Sequence, residues 1–494
     1  MPWSQALEAG LQCGKEHFEA LQARRQSQQG QGKPIISTKL GNVQIVGVGK
    51  QLRSGPWKTF EDFLDNNLKR SFGKSWADAE LKKQPSDRHP LLTWIDELAK
   101  QMALAPAAPD GIKAIHAVGA HAAYFGLGYN LYLLEHNADL KQLLLKRLRL
   151  KSEFHGAYYE TCVAAAFILA GFTISLEDES NGGSTHCEFY ATAPGSERKF
   201  WVEAKARAPG KGHIDVGNQL YKALKKETDA ERIVLIDLNV LDSTLGEEVP
   251  EQMERLLRSR QDKMTVGDKP APAAFLFVTN FSAHLSIDSS TPRRMIIPFG
   301  FKQPDFGIGA GFPTVELAFK AKRRQLPLYQ LMEHYKAYSI PSTFDGEVPQ
   351  FAFGLAQRRW IVGKEYQLED IEQTGVLEAG FVDTATSEAT LVFRIGEARQ
   401  LYQEPLSATE LDAYNAHPQT FFGTRDISAG REPLETQLDW FEFAYATYKE
   451  TPREQLLAFM REAPDLEHLR ELDQDELLIR YCGDFARAAF ARRD

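Results

Sequence analysis

The stretch around which the chain is organised runs from Glu153 to Leu238, with apolar runs at its start and end. Its first part, Phe154 to Leu176, contains one formally charged residue, Glu160. The length of this apolar run predicts a buried helix followed by a strand. Because burying a lone carboxylate costs free energy unless it is paired, we expect Glu160 to have a specific role.

Two segments rich in aromatic and β-branched residues follow this helix. Cys187 to Ala193 and Lys199 to Ala206 are predicted strands, and Pro194 to Glu197 between them has the composition of a turn. A helix and another apolar strand, which ends at Leu238, complete the stretch. The predicted order of elements is therefore helix, three strands, helix, strand.

The rest of the chain is mainly helical before this stretch and mixed after it. We predict helices near the start of 1–33 and in 57–105, 112–149 and from 407 onward, and strands in 33–51, 274–281 and 350–396. The strand at 274–281 is interpreted as the last of the central sheet.

The length of 494 residues suggests about three domains. The predicted fold class is α/β in a multidomain α+β arrangement. It comprises a mostly helical region (1–145), a central core with the order αβββαβ (146–290) and an α+β region (291–494).

The predicted hairpin brings two carboxylates together. If Pro194 to Glu197 closes the turn, Ala193 faces Arg198 and Glu188 lies directly opposite Glu203. Side chains alternate along a strand, so Lys205 shares the face of Glu203. Like charges in opposite positions destabilise a sheet unless a cation lies between them, and oxygen ligands favour Mg²⁺ or Mn²⁺ over zinc. The pattern therefore predicts a divalent metal site.

This arrangement resembles the PD-(D/E)XK (restriction-endonuclease-like) nuclease superfamily. The matching positions are Glu160 on the first helix, Glu188 on the second strand, and Glu203 and Lys205, separated by one residue, on the third. The resemblance covers roughly residues 146 to 290, which is under a third of the chain. It implies the restriction-endonuclease-like core and metal-dependent hydrolysis of phosphodiester bonds.

The resemblance also implies a role for each matching residue. Glu160, Glu188 and Glu203 would hold one or two Mg²⁺ or Mn²⁺ ions, and Lys205 would orient the attacking water. The family usually has Asp at the position of Glu188, so Asp178 and Glu179 are alternative ligands. The resemblance implies that the substrate is nucleic acid, with DNA expected before RNA. By analogy with other nucleases of this fold, it also implies a role in restriction or anti-phage defence.

Two other interpretations remain open at this point. The chain could be a catalytically inactive nuclease-fold scaffold or nucleic-acid-binding module. Alternatively, the carboxylates and Lys205 form a structural ion-pair network, and function resides in the C-terminal region. Mn²⁺ binding that depends on Glu188 and Glu203 would distinguish the active site from the first alternative. Strong basic clefts that lie away from residues 146 to 290 would favour the second.

Basic residues near the predicted core are candidates for phosphate contacts. The candidates are Lys222, Lys225 and Lys226 in the helix after the Glu-x-Lys strand, and Lys322, Arg323 and Arg324 in a later helix. The segment Leu143 to Lys151, LLLKRLRLK, has the same character. A solvated helix face explains such charge runs equally well, so both explanations stay open.

Composition narrows the class of protein without naming a function. A 43% hydrophobic and 25% charged content is typical of a soluble globular protein, and a net charge of −9 does not by itself indicate a nucleic-acid binder. The four cysteines are scattered without metal-ligand spacing, and no signal peptide or membrane span is evident. We therefore predict a cytoplasmic protein whose further partners are a second copy or another protein.

Overall fold

The computed structural model describes most of residues 35–105, 118–176, 188–207, 216–289, 294–307, 311–341, 360–411 and 434–491. The predicted helix near the start of 1–33, the alternative ligands Asp178 and Glu179, and Cys187 lie outside the described residues. The fold is mixed α/β, with four separate sheets among the described residues.

The described residues of the N-terminal part form a small antiparallel sheet and five α-helices. Its elements are β1 (Ser37–Leu40), β2 (Val43–Val48), β3 (Gln51–Gly55), α1 (Phe60–Phe72), α2 (Lys74–Leu81), α3 (Pro90–Leu104), α4 (Gly119–Leu133) and α5 (Ala138–Leu148). The first helix begins at a capping box, in which Thr59 and Asp62 satisfy each other's backbone amides. The strands predicted in 33–51 and the helices predicted in 57–105 and 112–149 are confirmed.

The central part contains the elements predicted around Glu160. They are α6 (Phe154–Leu169), β4 (Thr173–Ser175), β5 (Phe189–Thr192), β6 (Lys199–Ala206), α7 (Gly217–Leu224), β7 (Glu231–Asp237), α8 (Val249–Gln261), β8 (Thr265–Val266), β9 (Lys269–Pro270), β10 (Ala274–Asn280) and β11 (Met295–Phe301). The strand order of the six-stranded sheet is β11-β10-β7-β6-β5-β4. Only the neighbours β6, β7 and β10 run parallel.

The central sheet extends further than the sequence pattern predicted. Interpreting 274–281 as the last strand was wrong, because β11 pairs antiparallel with β10 from Ala274↔Phe301 to Asn280↔Met295. Every residue of β10 is buried, so its backbone groups need partners on both sides. The strand that supplies them begins beyond the predicted boundary at residue 290.

Helices cover both faces of this sheet. On one face, α6 packs between the N-terminal helices α4 and α5 and strand β6. A single hydrophobic cluster there includes Trp94 of α3, Phe154 of α6 and Phe200 of β6. On the other face, α7 and α8 pack through residues such as Leu220 and Leu257. The N-terminal helices therefore share their core with the central sheet.

The C-terminal part combines helices with a separate β unit. Its elements are α9 (Val315–Arg324), α10 (Leu326–Lys336), β12 (Glu365–Leu368), β13 (Gln373–Asp383), β14 (Glu388–Ile395), β15 (Ala398–Pro405), α11 (Gln437–Tyr448), α12 (Arg453–Phe459), α13 (Leu466–Leu469) and α14 (Gln474–Ala491). The four strands form an antiparallel meander. The predicted β unit and C-terminal helices are confirmed. None of the helices that the structure describes has both the length and the apolar character needed to cross a membrane.

Asp237 ends β7 and is almost completely buried. Thr279 donates a hydrogen bond to its Oδ1 atom at 2.9 Å. Burial raises the pKa of Asp237 to about 7, although this hydrogen bond opposes the shift. The folded protein therefore keeps a proton on Asp237 at pH values where the unfolded chain has lost it.

We expect this carboxyl group to make the protein less stable at pH 8 than at pH 5. The favourable contribution of protonated Asp237 to the free energy of unfolding is fully present below about pH 4. It is lost as the pH rises to about 7, which lowers the free energy of unfolding by on the order of 2 to 4 kcal/mol. Urea unfolding between pH 5 and 8 should show a flatter dependence in Asp237→Asn than in wild type. The exposed Asp229→Asn serves as control, and an unchanged slope in Asp237→Asn would contradict the assignment.

Candidate active site

The predicted hairpin register is present. Phe189 pairs with Val202, the Glu188 amide donates to the Val202 carbonyl at 3.1 Å, and the Ala193 amide donates to the Arg198 carbonyl at 2.9 Å. The paired register ends at Phe189 and Val202, so Glu188 lies just before β5 and outside the ladder. Its carboxylate still reaches the site, since Glu188 Oε1 lies 3.4 Å from Lys205 Nζ. Alternation along β6 places Glu203 and Lys205 on one face, while Phe200 and its neighbours at even-numbered positions pack into the core on the other.

Glu203 is the most deeply buried carboxylate of the site, with no exposed side-chain surface. Two ammonium groups contact it: Lys205, two residues along the same strand, and Lys226, which follows α7 and lies 2.7 Å from Glu203 Oε1. Lys205 Nζ also lies 3.4 Å from Glu188 Oε1. The pairing compensates for much of the free energy lost when these charges leave water.

Glu160 is held by an arginine that precedes it in the chain. Both terminal nitrogens of Arg147, in the last turn of α5, donate to the Glu160 carboxylate, with 2.8 Å between Nη2 and Oε1. The Nε atom of Arg147 donates to Glu153 at 3.2 Å. Gly156, one turn before Glu160, lacks a side chain, and an added Cβ would lie 3.6 Å from Arg147 Nη2. A side chain larger than Ala at Gly156 would therefore crowd the guanidinium.

The carboxyl groups of Glu160 and Glu188 interact directly. Burial, followed by the negative charge of Glu188, raises the pKa of Glu160 to about 7, and a hydrogen bond between the two carboxyl groups adds to the shift while Arg147 opposes it. Burial also raises the pKa of Glu203, against the nearby Lys205 ammonium. Burial alone would lower the pKa of Lys205, but Glu203 and Glu188 outweigh it and raise that pKa. Lys205 is therefore fully charged at neutral pH.

The negative charges of the three candidate metal ligands are balanced by the positive charges of the basic residues that contact them. Within the described residues, no group of three or more His, Cys, Asp or Glu side chains is arranged so that it could hold a metal ion. Arg147, Lys205 and Lys226 contact the three glutamates instead. The oxygen-only donor set nevertheless has the chemistry that Mg²⁺ and Mn²⁺ prefer. In the described residues these oxygens are paired with protein cations and are not grouped around a metal position.

The candidate phosphate contacts of α7 divide into two groups. Lys226 joins the carboxylate cluster, whereas Lys222 and Lys225 are exposed. The sequence placed all three on one basic helix, and only the packing of α7 against β6 selects Lys226. Its role in the site is thus to contact Glu203.

The basic residues of α9 form ion pairs within the chain. Lys322 lies 2.6 Å from Glu442, and Arg323 and Arg324 pair with Asp475 and Asp305 at 2.8 Å and 3.1 Å. Two of these carboxylates lie more than a hundred residues away in sequence. A phosphate would have to compete with these carboxylates for all three residues.

Comparisons of the chain with protein-family models, curated proteins and solved structures find no match. The functional assignment therefore depends on the site itself.

Proposed function

We propose that this protein is a divalent-metal-dependent nuclease with a PD-(D/E)XK-type core. The observation that supports the proposal is that Lys205 contacts both Glu203 and Glu188, while Glu160 lies beside Glu188. The order of α6, β4, β5, β6, α7 and β7 supports it. The first substrate to test is DNA, in keeping with a role in restriction or defence against phage.

Each residue has a specific part in the proposed reaction. Glu160, Glu188 and Glu203 would hold Mg²⁺ or Mn²⁺, whose chemistry is to polarise the phosphate and to lower the pKa of bound water. Water oxygen adds to phosphorus as the water gives up a proton to solvent. The bond from phosphorus to the departing sugar oxygen breaks, and that oxygen takes up a proton from solvent. Lys205 donates a hydrogen bond that orients the water and stabilises the negative charge that develops on the phosphate oxygens.

A second candidate function is a nuclease-fold module that binds without cutting. The observation that favours it is the charge balance of the cluster, because all three carboxylates already have cationic partners. In that case the network would stabilise the fold, and no metal would bind. Cleavage and metal binding separate the two functions.

We expect the wild-type protein to cleave plasmid DNA with Mg²⁺ or Mn²⁺, and Glu203→Gln to lose this activity by a factor on the order of 10² or more. The amide removes one negative charge while keeping the shape of the side chain. Single-stranded DNA and RNA should be tested alongside, with folding checked by circular dichroism. Glu197→Gln is a matched control, since Glu197 is exposed in the hairpin turn outside the cluster.

The outcomes distinguish the two functions. Metal-dependent cleavage that survives Glu197→Gln and disappears in Glu203→Gln supports the nuclease. If the wild-type protein cuts none of the three nucleic acids and binds no Mn²⁺, the non-cutting module is the better assignment.

A further inference from the structure

The pairing of Arg147 with Glu160 bears on how a metal could enter the site. The guanidinium makes two parallel contacts with the carboxylate, the strongest geometry available to an arginine and a carboxyl group. It therefore satisfies the oxygens that a metal ion would need. The Arg147 side chain is 37% exposed, whereas that of Glu160 is only 9% exposed. The cation, and not the carboxylate, has open solvent to move into.

The charge balance makes simple addition of a metal unfavourable. Three glutamates and three basic residues give the cluster a net charge near zero when all are ionised. Adding a divalent cation would leave two uncompensated positive charges in a largely buried site, which is unfavourable because buried charges need partners. Metal binding is therefore favourable when a protein cation leaves, when the proton shared by Glu160 and Glu188 is lost, or when an anion arrives.

Arg147 is the cation best placed to leave. Lys205 and Lys226 are less exposed, at 24% each, and both contact the fully buried Glu203. Removing either one would weaken the compensation of the most buried charge. Arg147 cannot lose its charge by deprotonation, so it can vacate Glu160 only by moving.

We propose that Arg147 competes with the divalent cation for Glu160 and, once displaced, binds the substrate phosphodiester. The guanidinium exchanges a bidentate contact with a carboxylate for the same contact with a phosphate. Metal and phosphodiester therefore bind with positive coupling, and the site remains closed to metal until nucleic acid arrives. This inference rests on the proposed metal site. It adds control of metal binding by the substrate, which the cleavage reaction itself does not require.

The test measures Mn²⁺ binding, by calorimetry and by electron paramagnetic resonance of free Mn²⁺, and not cleavage. We expect Arg147→Met to bind Mn²⁺ roughly tenfold more tightly than wild type in the absence of nucleic acid, because the competitor is gone. Lys146→Met is a matched control: it removes the same charge from the neighbouring, exposed position of α5 and should leave the affinity for Mn²⁺ unchanged.

A second measurement tests the exchange with phosphate. A short phosphorothioate DNA duplex, which resists cleavage, should tighten Mn²⁺ binding to wild type by about 5- to 150-fold. The same duplex should have little effect on Mn²⁺ binding to Arg147→Met. Equal tightening in both proteins, or none in wild type, would overturn the proposed coupling.

Arg147→Met also leaves Glu160 buried without a partner, so its thermal stability needs a separate measurement. We expect a lower melting temperature without metal and a larger increase on adding Mn²⁺ than in wild type. A variant that melts lower and gains no more from Mn²⁺ than wild type would show that Arg147 is only structural.

The result also separates this inference from the metal site itself. If wild type binds Mn²⁺ through Glu188 and Glu203, and Arg147→Met binds it no more tightly, the competition is wrong and the metal site stands. If neither protein binds Mn²⁺, both are wrong.

Discussion

Replacing Lys205 with Met is expected to lower the rate of metal-dependent cleavage by a factor on the order of 10² to 10³, the usual effect of removing one donor that stabilises a transition state. Methionine keeps the length of the side chain and removes the ammonium. Glu203 retains Lys226 as its counter-ion, so the fold should survive. The loss should appear in kcat, whereas the affinity for Mn²⁺ should be unchanged or tighter.

The matched control for Lys205→Met lies on the same strand. Lys199 begins β6, is exposed and stacks on the ring of Tyr190 with 4.0 Å between Nζ and the ring centroid. Lys199→Met should therefore cleave at the wild-type rate. An equal loss of kcat in Lys226→Met would indicate that the activity depends on neutralising the charge of Glu203. Lys205 would then have no specific role in orienting the water.

The hairpin at the centre of the site could be predicted from local sequence alone. The turn at Pro194 to Glu197 fixes the pairing of the strands beside it, and the two-residue period of a strand then assigns every side chain to a face. Glu203 and Lys205 therefore follow from counting along β6, whereas Glu188 lies just outside the paired residues and its amide bonds to the Val202 carbonyl. Glu160 could be recognised because a single charge in a long apolar run needs a partner.

The cationic partners could not be predicted in the same way. Arg147 and Lys226 come from the ends of α5 and α7, and their reach depends on how each helix packs against its neighbours. The segment around Arg147 could be recognised as basic, but its charge was equally consistent with phosphate binding and with a solvated face. The partners of α9 lie still further away in sequence, as the pairing of Arg323 with Asp475 illustrates.

The extent of the core was also beyond the reach of local patterns. The segment Met295–Phe301 is apolar, and only its pairing with β10 shows that it belongs to the central sheet. In the sequence, Trp94 is likewise one of several apolar residues in a predicted helix, and nothing marks it as a contact to the central sheet. Its ring centroid lies 5.3 Å from that of Phe154 and 5.4 Å from that of Tyr158, so it joins the N-terminal helices to the helix that carries Glu160.

Replacing Trp94 with Ala is expected to destabilise the central sheet together with the N-terminal helices. The side chain is 1% exposed, and deleting a buried tryptophan typically costs about 3 to 5 kcal/mol. Because one hydrophobic cluster spans both parts, this cost should be shared by both. Hydrogen exchange measured by mass spectrometry should show the same loss of protection in peptides from β6 and β10 as in peptides from α3 and α4.

The control for Trp94→Ala lies in the separate β unit. Phe381 is 62% exposed, so Phe381→Ala should change stability by no more than about 0.5 kcal/mol. If Trp94→Ala accelerates exchange in α3 and α4 and leaves β6 and β10 protected, the region before residue 146 is an independent domain, as the sequence pattern predicted. A shared loss instead means that the N-terminal helices are part of the support for Glu160, and that a fragment beginning at residue 146 would lack the helices that complete the cluster on one face of the sheet.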